Sequence, residues 1–303
     1  MMVKITGHEN TLVFLNCLSP EWPYPNRTLF CYFSRSMKGL VVIAVLAILA
    51  RVIQLVKGRQ AQGLFDDDKE EFEGFSQISV LPTPEKLRAF LQLHFPFFAR
   101  IRPQSQQRFL QRMYFMLKDK HFAGRDGLVV HDVMILLICA TLVQLTLGLD
   151  KYKMPRFRRF ALFPDVFYSR LFDRNVKGLT VYHSGLVALS WPHAFEGHQI
   201  PDDKVNLILH ELAHALYLDY FGHRSERYGF SSWKEQAIPV FEKMQAIGNH
   251  PFLRDYAASN INEFWAVCVE HFFEAPEAFR QQLPELYEAM RSILLQDPML
   301  LKP

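Results

Sequence analysis

Charge of one sign is scarce in this chain: 34 Lys and Arg stand against 31 Asp and Glu, a net of +3 over 303 residues. So small an excess does not attract a polyanion, and no basic stripe with interleaved aromatics makes up for it. The densest basic group, Lys151, Lys153, Arg156, Arg158 and Arg159, reads as a solvated turn and strand edge, so nucleic-acid binding is rejected. Cysteine is also sparse. Cys17, Cys31, Cys139 and Cys268 share no metal spacing, and the last two fall in apolar stretches where they act as small hydrophobes. Neither a disulfide framework nor a thiolate metal site is implied. A secretory cleavage signal is missing too, because no small residues sit at minus one and minus three before a polar boundary.

What the chain does have is apolar mass. Half of its residues are hydrophobic and 27 are Phe, enough to bury a sizeable core. Residues 1–36, with Pro20, Pro23 and Pro25 and little periodicity, are expected to form a disordered tail. Residues 39–56 are interrupted only by Arg51 and Gln54 and are bounded by Lys38, Lys57 and Arg59, so 37–58 are expected to be a single-pass membrane anchor of minimal length. The alternative is an amphipathic or core helix. Basic residues balance on the two sides and assign no orientation, and Met37 stands as an alternative initiator. A charged linker follows at 59–80, with Asp66-Asp-Asp-Lys-Glu-Glu71 inside it, and the globular domain is expected over 81–303. Its pattern predicts helices at 84–95, 104–121, 233–247 and 261–273 and two short ones within 276–296. Strands are expected at 179–183 and 186–191 around the turn at Ser184-Gly185. The class is α+β, mostly helical, with a small β-sheet.

Residues 210–214 read His-Glu-Leu-Ala-His within an apolar stretch, 205–218, that has no Gly or Pro. On a helix, positions i and i+4 lie one above the other, so His210 and His214 offer two imidazole nitrogens to one tetrahedral Zn²⁺. Glu211 sits one step round the turn, where its carboxylate reaches a water at the metal rather than the metal itself, as a general base requires. Pro201-Asp202-Asp203 is expected to stop the preceding segment and cap this helix. The bland alternative is a buried helix carrying two satisfied histidines. His183, His193 and His198 are too irregularly spaced for a second metal site and read as loop histidines.

A catalytic zinc takes three protein ligands and keeps one position for water. The Gly and His of the metzincin continuation are absent, since Tyr217 and Tyr220 stand in their places. Downstream carboxylates are Glu226, Glu235, Glu242, Glu263 and Glu270, the last two on one face of the helix at 261–273. Glu263, in Asn-Glu-Phe-Trp-Ala, is the expected third ligand, close to the form in which glutamate-zincins present theirs. Its alternative role is a capping box with Asn260, and that of Glu270 is a solvated charge or a carboxylate supporting a ligand.

His210-Glu-Leu-Ala-His214, Asp255-Tyr-Ala-Ala-Ser259, Glu263-Phe-Trp-Ala-Val and Glu270-His-Phe-Phe-Glu-Ala-Pro-Glu-Ala-Phe279 together resemble the MtfA (Mlc titration factor A) family of zinc peptidases. The resemblance spans roughly 81–298. It implies a catalytic core similar to that of anthrax lethal factor, with one Zn²⁺ held by His210, His214 and Glu263 and with Glu211 as base. It also implies that the apolar stretch at 129–149 is a central helix of a soluble domain rather than a second span, and it favours a cytoplasmic catalytic domain. Tyr256 matches a tyrosine kept near the metal. Its phenol would donate to the oxyanion of the tetrahedral intermediate, or else anchor the helix start as a buried aromatic.

These parts predict a metallopeptidase in which Glu211 takes a proton from water and passes it to the leaving amine. A peptide or protein substrate would lie antiparallel to an edge strand, for which 187–191 is the candidate, with Val187, Ala188 and Leu189 as contacts. The other reading of that strand is an ordinary core strand. The runner-up function is a non-catalytic zinc protein that captures a regulatory partner on its strand edge, and Glu211 speaks against it. An intramembrane protease would need further spans and no Lys204, Asp219 or Arg224 near the motif.

Overall fold

The computed structural model describes residues 74–200, 202–221, 230–248 and 250–300. Ten α-helices and six strands occupy them: α1 (Pro84–His94), α2 (Pro96–Arg100), α3 (Pro103–Asp119), β1 (His121–Gly124), α4 (Asp132–Thr146), β2 (Arg159–Phe163), β3 (Phe167–Ser169), β4 (Arg174–Val176), β5 (Gly178–Val181), β6 (Leu186–Ser190), α5 (Trp191–Gln199), α6 (Leu207–Leu216), α7 (Phe230–Ile247), α8 (Ile261–Glu274), α9 (Pro276–Gln282) and α10 (Pro284–Leu294). The fold is α+β and mostly helical. Proline opens α1, α2, α3, α9 and α10, where its missing N–H costs nothing and its φ is already helical.

Strands order as β1-β2-β6-β5, with β1, β2 and β6 parallel and β5 antiparallel to β6. Period-two alternation divides the apolar residues between the faces. Phe160, Leu162, Val187 and Leu189 join the main core with the helices, and Ala161, Leu179, Val181, Leu186 and Ala188 form a second cluster under the β3–β4 hairpin. Phe167 of that hairpin stacks on Phe163 with centroids 4.0 Å apart. Ser76 pairs with Phe122 of β1 through backbone hydrogen bonds in both directions, so contacts of this domain begin before Leu81.

Every residue of α4 from Met134 to Thr146 is buried, as a central helix requires. Its last carbonyls, which helix geometry leaves without partners, are met by side chains. Arg112 of α3 donates to Thr146, Leu147 and Leu149 oxygens at 2.6, 3.1 and 2.8 Å, and Gln296 donates to Gln144 and Leu145 oxygens at 3.1 and 3.0 Å. Cys139 and Cys268 are free and buried in α4 and α8.

Three expectations are corrected. Among the described residues no helix is long and apolar enough to cross a membrane, which overturns the expected single-pass membrane location; the segment that suggested it, residues 39–56, lies outside the described residues, as do the expected tail and most of the linker. Residues 187–191 are not an edge: β6 ends at Ser190, pairs on both sides, and buries Val187, Ala188 and Leu189 completely, so their backbone groups are already used. The cap of the motif helix is neither Asp202 nor Asp203 but Asn206, whose side chain accepts from Leu209 N at 3.0 Å.

Candidate metal centre

Helix α6 owes its place to an apolar face, Ile208, Leu209, Leu212, Ala213, Ala215 and Leu216, all buried against the core. That burial turns His210 and His214 toward α8, with ring centroids 4.8 Å apart. Helix α8 is capped by Asn260, whose side chain accepts from Asn262 N and Glu263 N at 3.0 and 3.1 Å. The cap occupies the Glu263 backbone and leaves its carboxylate free to reach across. Trp265, two residues further on and fully buried, donates from Nε1 to Ala213 O at 2.9 Å and ties the two helices together.

Three donor atoms converge between these helices. Glu263 Oε2 lies 3.0 Å from His210 Nε2 and 3.3 Å from His214 Nε2, and the two nitrogens are 3.2 Å apart. Neighbouring ligands of a tetrahedral zinc with bonds of about 2.0 Å stand roughly 3.3 Å apart, so this triangle fits one face of such a sphere. His210, His214 and Glu263 form the one group of this kind among the described residues. Glu235 and Glu242 lie on α7 and take no part, and Glu226 lies outside the described residues. His193 pairs with Ser190 Oγ at 2.8 Å and His198 with the His94 carbonyl at 2.8 Å, both within or beside α5 rather than in a loop.

Glu270, two turns beyond Glu263 on the same face of α8 and 1 % exposed, takes the opposite side of the His210 ring. It accepts from His210 Nδ1 at 3.0 Å, from Asn206 N at 2.8 Å and from the Arg254 guanidinium. A donor held at Nδ1 leaves the neutral ring's Nε2 lone pair for a metal. Glu270 is therefore a buried, hydrogen-bonded carboxylate behind the His210 ring and not a solvated charge. Arg254 and Asn206 were not legible as site residues. A capping Asn four places before His210 was a usable signal; a lone arginine gave none.

Burial depresses His210, yet its hydrogen bonds to Glu263 and Glu270 outweigh this and push the ring up to about 10. Burial alone would raise Glu263, but the two imidazoles hold it well below the usual carboxylate range. A metal held here would take the place of a proton on His210. Glu211 is 6 % exposed, and burial pushes its carboxyl up. It meets the sheet: Thr180 Oγ1 of β5 lies 2.8 Å from its Oε2 and 2.9 Å from its carbonyl oxygen. Tyr256, on the 3₁₀ turn Asp255–Ala258, is 46 % exposed with its ring 6.0 Å from that of His210. Its phenol is raised by burial and then by the Glu263 charge. The arrangement offers two nitrogens and an oxygen for a cation, a sheltered carboxylate beside them, and an exposed phenol at the rim.

Comparison with known proteins agrees with this chemistry. The profile of the glucose-regulated metallo-peptidase M90 family matches residues 70–294. An uncharacterized protein of Synechocystis is 26 % identical over 246 residues, 74 % of this chain and 88 % of that protein. Mlc titration factor A of Yersinia pestis is 23 % identical over 227 residues, 68 % of this chain and 83 % of the relative, and the same protein of Yersinia pseudotuberculosis matches to the same extent. The chain belongs to the glucose-regulated metallo-peptidase M90 family, with Mlc titration factor A among its distant relatives.

Proposed function

We propose that this chain is a zinc-dependent peptidase that hydrolyses peptide bonds with Glu211 as general base. The convergence of His210, His214 and Glu263 within 3.3 Å of one another, beside a buried glutamate, carries the reading. When bound, zinc supplies Lewis acidity, lowering the pKa of a water and polarising a carbonyl. His210, His214 and Glu263 would hold that one ion, while Glu270 and Arg254 keep the His210 ring in place. Glu211 takes the water's proton and returns it to the leaving amine, a role suited to a carboxyl whose proton affinity burial has raised. Tyr256 keeps its proton, because its phenol is shifted upward, and donates it in a hydrogen bond to the developing oxyanion.

The substrate surface moves from β6 to β5. Among the described strands β5 is paired only with β6 and packs against α6, so its outer edge is where an extended peptide adds a strand beside the base. The name of the Yersinia relative points to a protein partner for that relative, and a regulatory partner of this chain would meet the same edge.

The test is Glu211→Gln in the zinc-loaded chain, with cleavage of a peptide library read by mass spectrometry. Zinc content stays at one ion per chain and cleavage disappears. Undiminished cleavage by this variant overturns the assignment of the base.

A further inference from the structure

We propose that Thr180 is a positioning residue for the general base and that residue 178 is glycine because the base's carboxylate occupies the space of a side chain. The inference rests on the reading of Glu211 as base.

Strand β5 alternates in a telling way. Leu179 and Val181 point into the cluster beneath the hairpin. Gly178 and Thr180, two apart and so on the opposite face, point at helix α6. There, both meet the same side chain. A Cβ built on Gly178 would stand 2.4 Å from Glu211 Oε1, 2.7 Å from its Cγ and 2.8 Å from its carboxyl carbon, closer than real side-chain atoms approach. Thr180 Oγ1 closes the other side, 2.8 Å from Oε2. The carboxylate is thus gripped between a missing side chain and a hydroxyl on one face of one strand.

Valine would fill the volume of Thr180 equally well and suits a strand as well. The hydroxyl therefore contributes a hydrogen bond rather than packing. Glutamate has three side-chain torsions, and a base that wanders by an ångström loses most of its effect. Thr180 limits that freedom, its single hydroxyl proton lying between Glu211 Oε2 at 2.8 Å and the Glu211 carbonyl oxygen at 2.9 Å and tying that residue to the sheet. Because the outer edge of β5 is also the substrate surface proposed above, one rigid element sets the distance between base and scissile bond. Sites built on strands hold such distances better than sites built on loops.

The experiment compares Thr180→Val, Thr180→Ser, Gly178→Ala and Glu211→Gln in the full zinc-loaded chain. Thr180→Val lowers kcat by about 10- to 100-fold with KM and zinc stoichiometry unchanged, and Thr180→Ser recovers most of it. Gly178→Ala lowers kcat at least as far, since the Glu211 side chain must leave its place to admit the new methyl. The visible spectrum of the cobalt(II)-substituted chain, which reports the ligand set, stays the same in Thr180→Val. A Thr180→Val chain with wild-type kcat, or one whose loss appears in metal content or in the cobalt spectrum, overturns the inference while Glu211→Gln remains inactive. If Glu211→Gln itself cleaves at full rate, or the wild-type chain cleaves no peptide, the base reading fails and Thr180 falls with it.

Discussion

His210 Nδ1 donates to the Glu270 carboxylate over 3.0 Å, from the same face of α8 that brings Glu263 to the other side of the ring. Spacing explains the pairing: two residues seven apart on a helix share a face, and one imidazole fits between them. Removing Glu270 as alanine weakens zinc binding by about 10- to 100-fold in a chelator competition, the usual cost of losing a carboxylate behind a ligand. Glu263→Ala loses far more and loads below one ion per chain. The reverse order would show that the two carboxylates have exchanged roles.

Trp265 links the helices that hold the site, through its bond to Ala213 O and edge-on packing against Trp233 at 5.1 Å. Trp265→Phe gives up the bond and leaves a cavity. Urea unfolding is expected to show a loss on the order of 2–3 kcal/mol, accompanied by weaker zinc binding because α8 is no longer pinned to α6.

Arg112 is 8 % exposed, donates to three carbonyls at the end of α4, and lies 4.2 Å from the Tyr152 ring centroid. Arg112→Met removes the side-chain donor from all three oxygens and leaves Thr146 O only its backbone bond from Leu149 N. Thermal and urea melts should record a loss of roughly 2–5 kcal/mol, while zinc content at low temperature stays at the wild-type value.

Glu274 gives the stability a pH dependence. Burial, joined by the charges of Glu270 and Asp203, pushes its carboxyl up to about 8, against the hydrogen bond from Asn206. A carboxyl raised in the folded state holds its proton there after the unfolded chain has released it. Its contribution is complete below about pH 4.5 and is lost as pH rises toward 8. Glu274→Gln therefore matches the wild type near pH 4 and exceeds it at pH 8.5 by an amount on the order of 2–4 kcal/mol. Equal differences at both pH values would show that Glu274 does not titrate in this window.

Much of the helical layout was legible because its signals are local. The apolar run in α4 and the periodic patterns of α1, α3, α7 and α8 depend on neighbours in the chain, and these helices lie within a few residues of their predicted bounds. The cap of α6 was misplaced because Asp202, Asp203 and Asn206 all satisfy the same local rule, and the contact of Asn206 with Glu270 and Glu274 lies more than sixty positions away. The apolar pattern of strand β6 is the same whether one or both sides are paired, so it does not distinguish an edge from an inner strand; β2, joining it in parallel, comes from before the hairpin.

The pentapeptide His210–His214 could be read without coordinates, since helical pitch alone stacks i over i+4. Which carboxylate faces Nε2 and which supports Nδ1, where Glu211 rests, and which strand lies open beside it were all decided by the packing of α8 and β5 around α6. Periodicity assigns a residue to a face. What that face touches depends on segments distant along the chain, and only burial of the shared core brings them together.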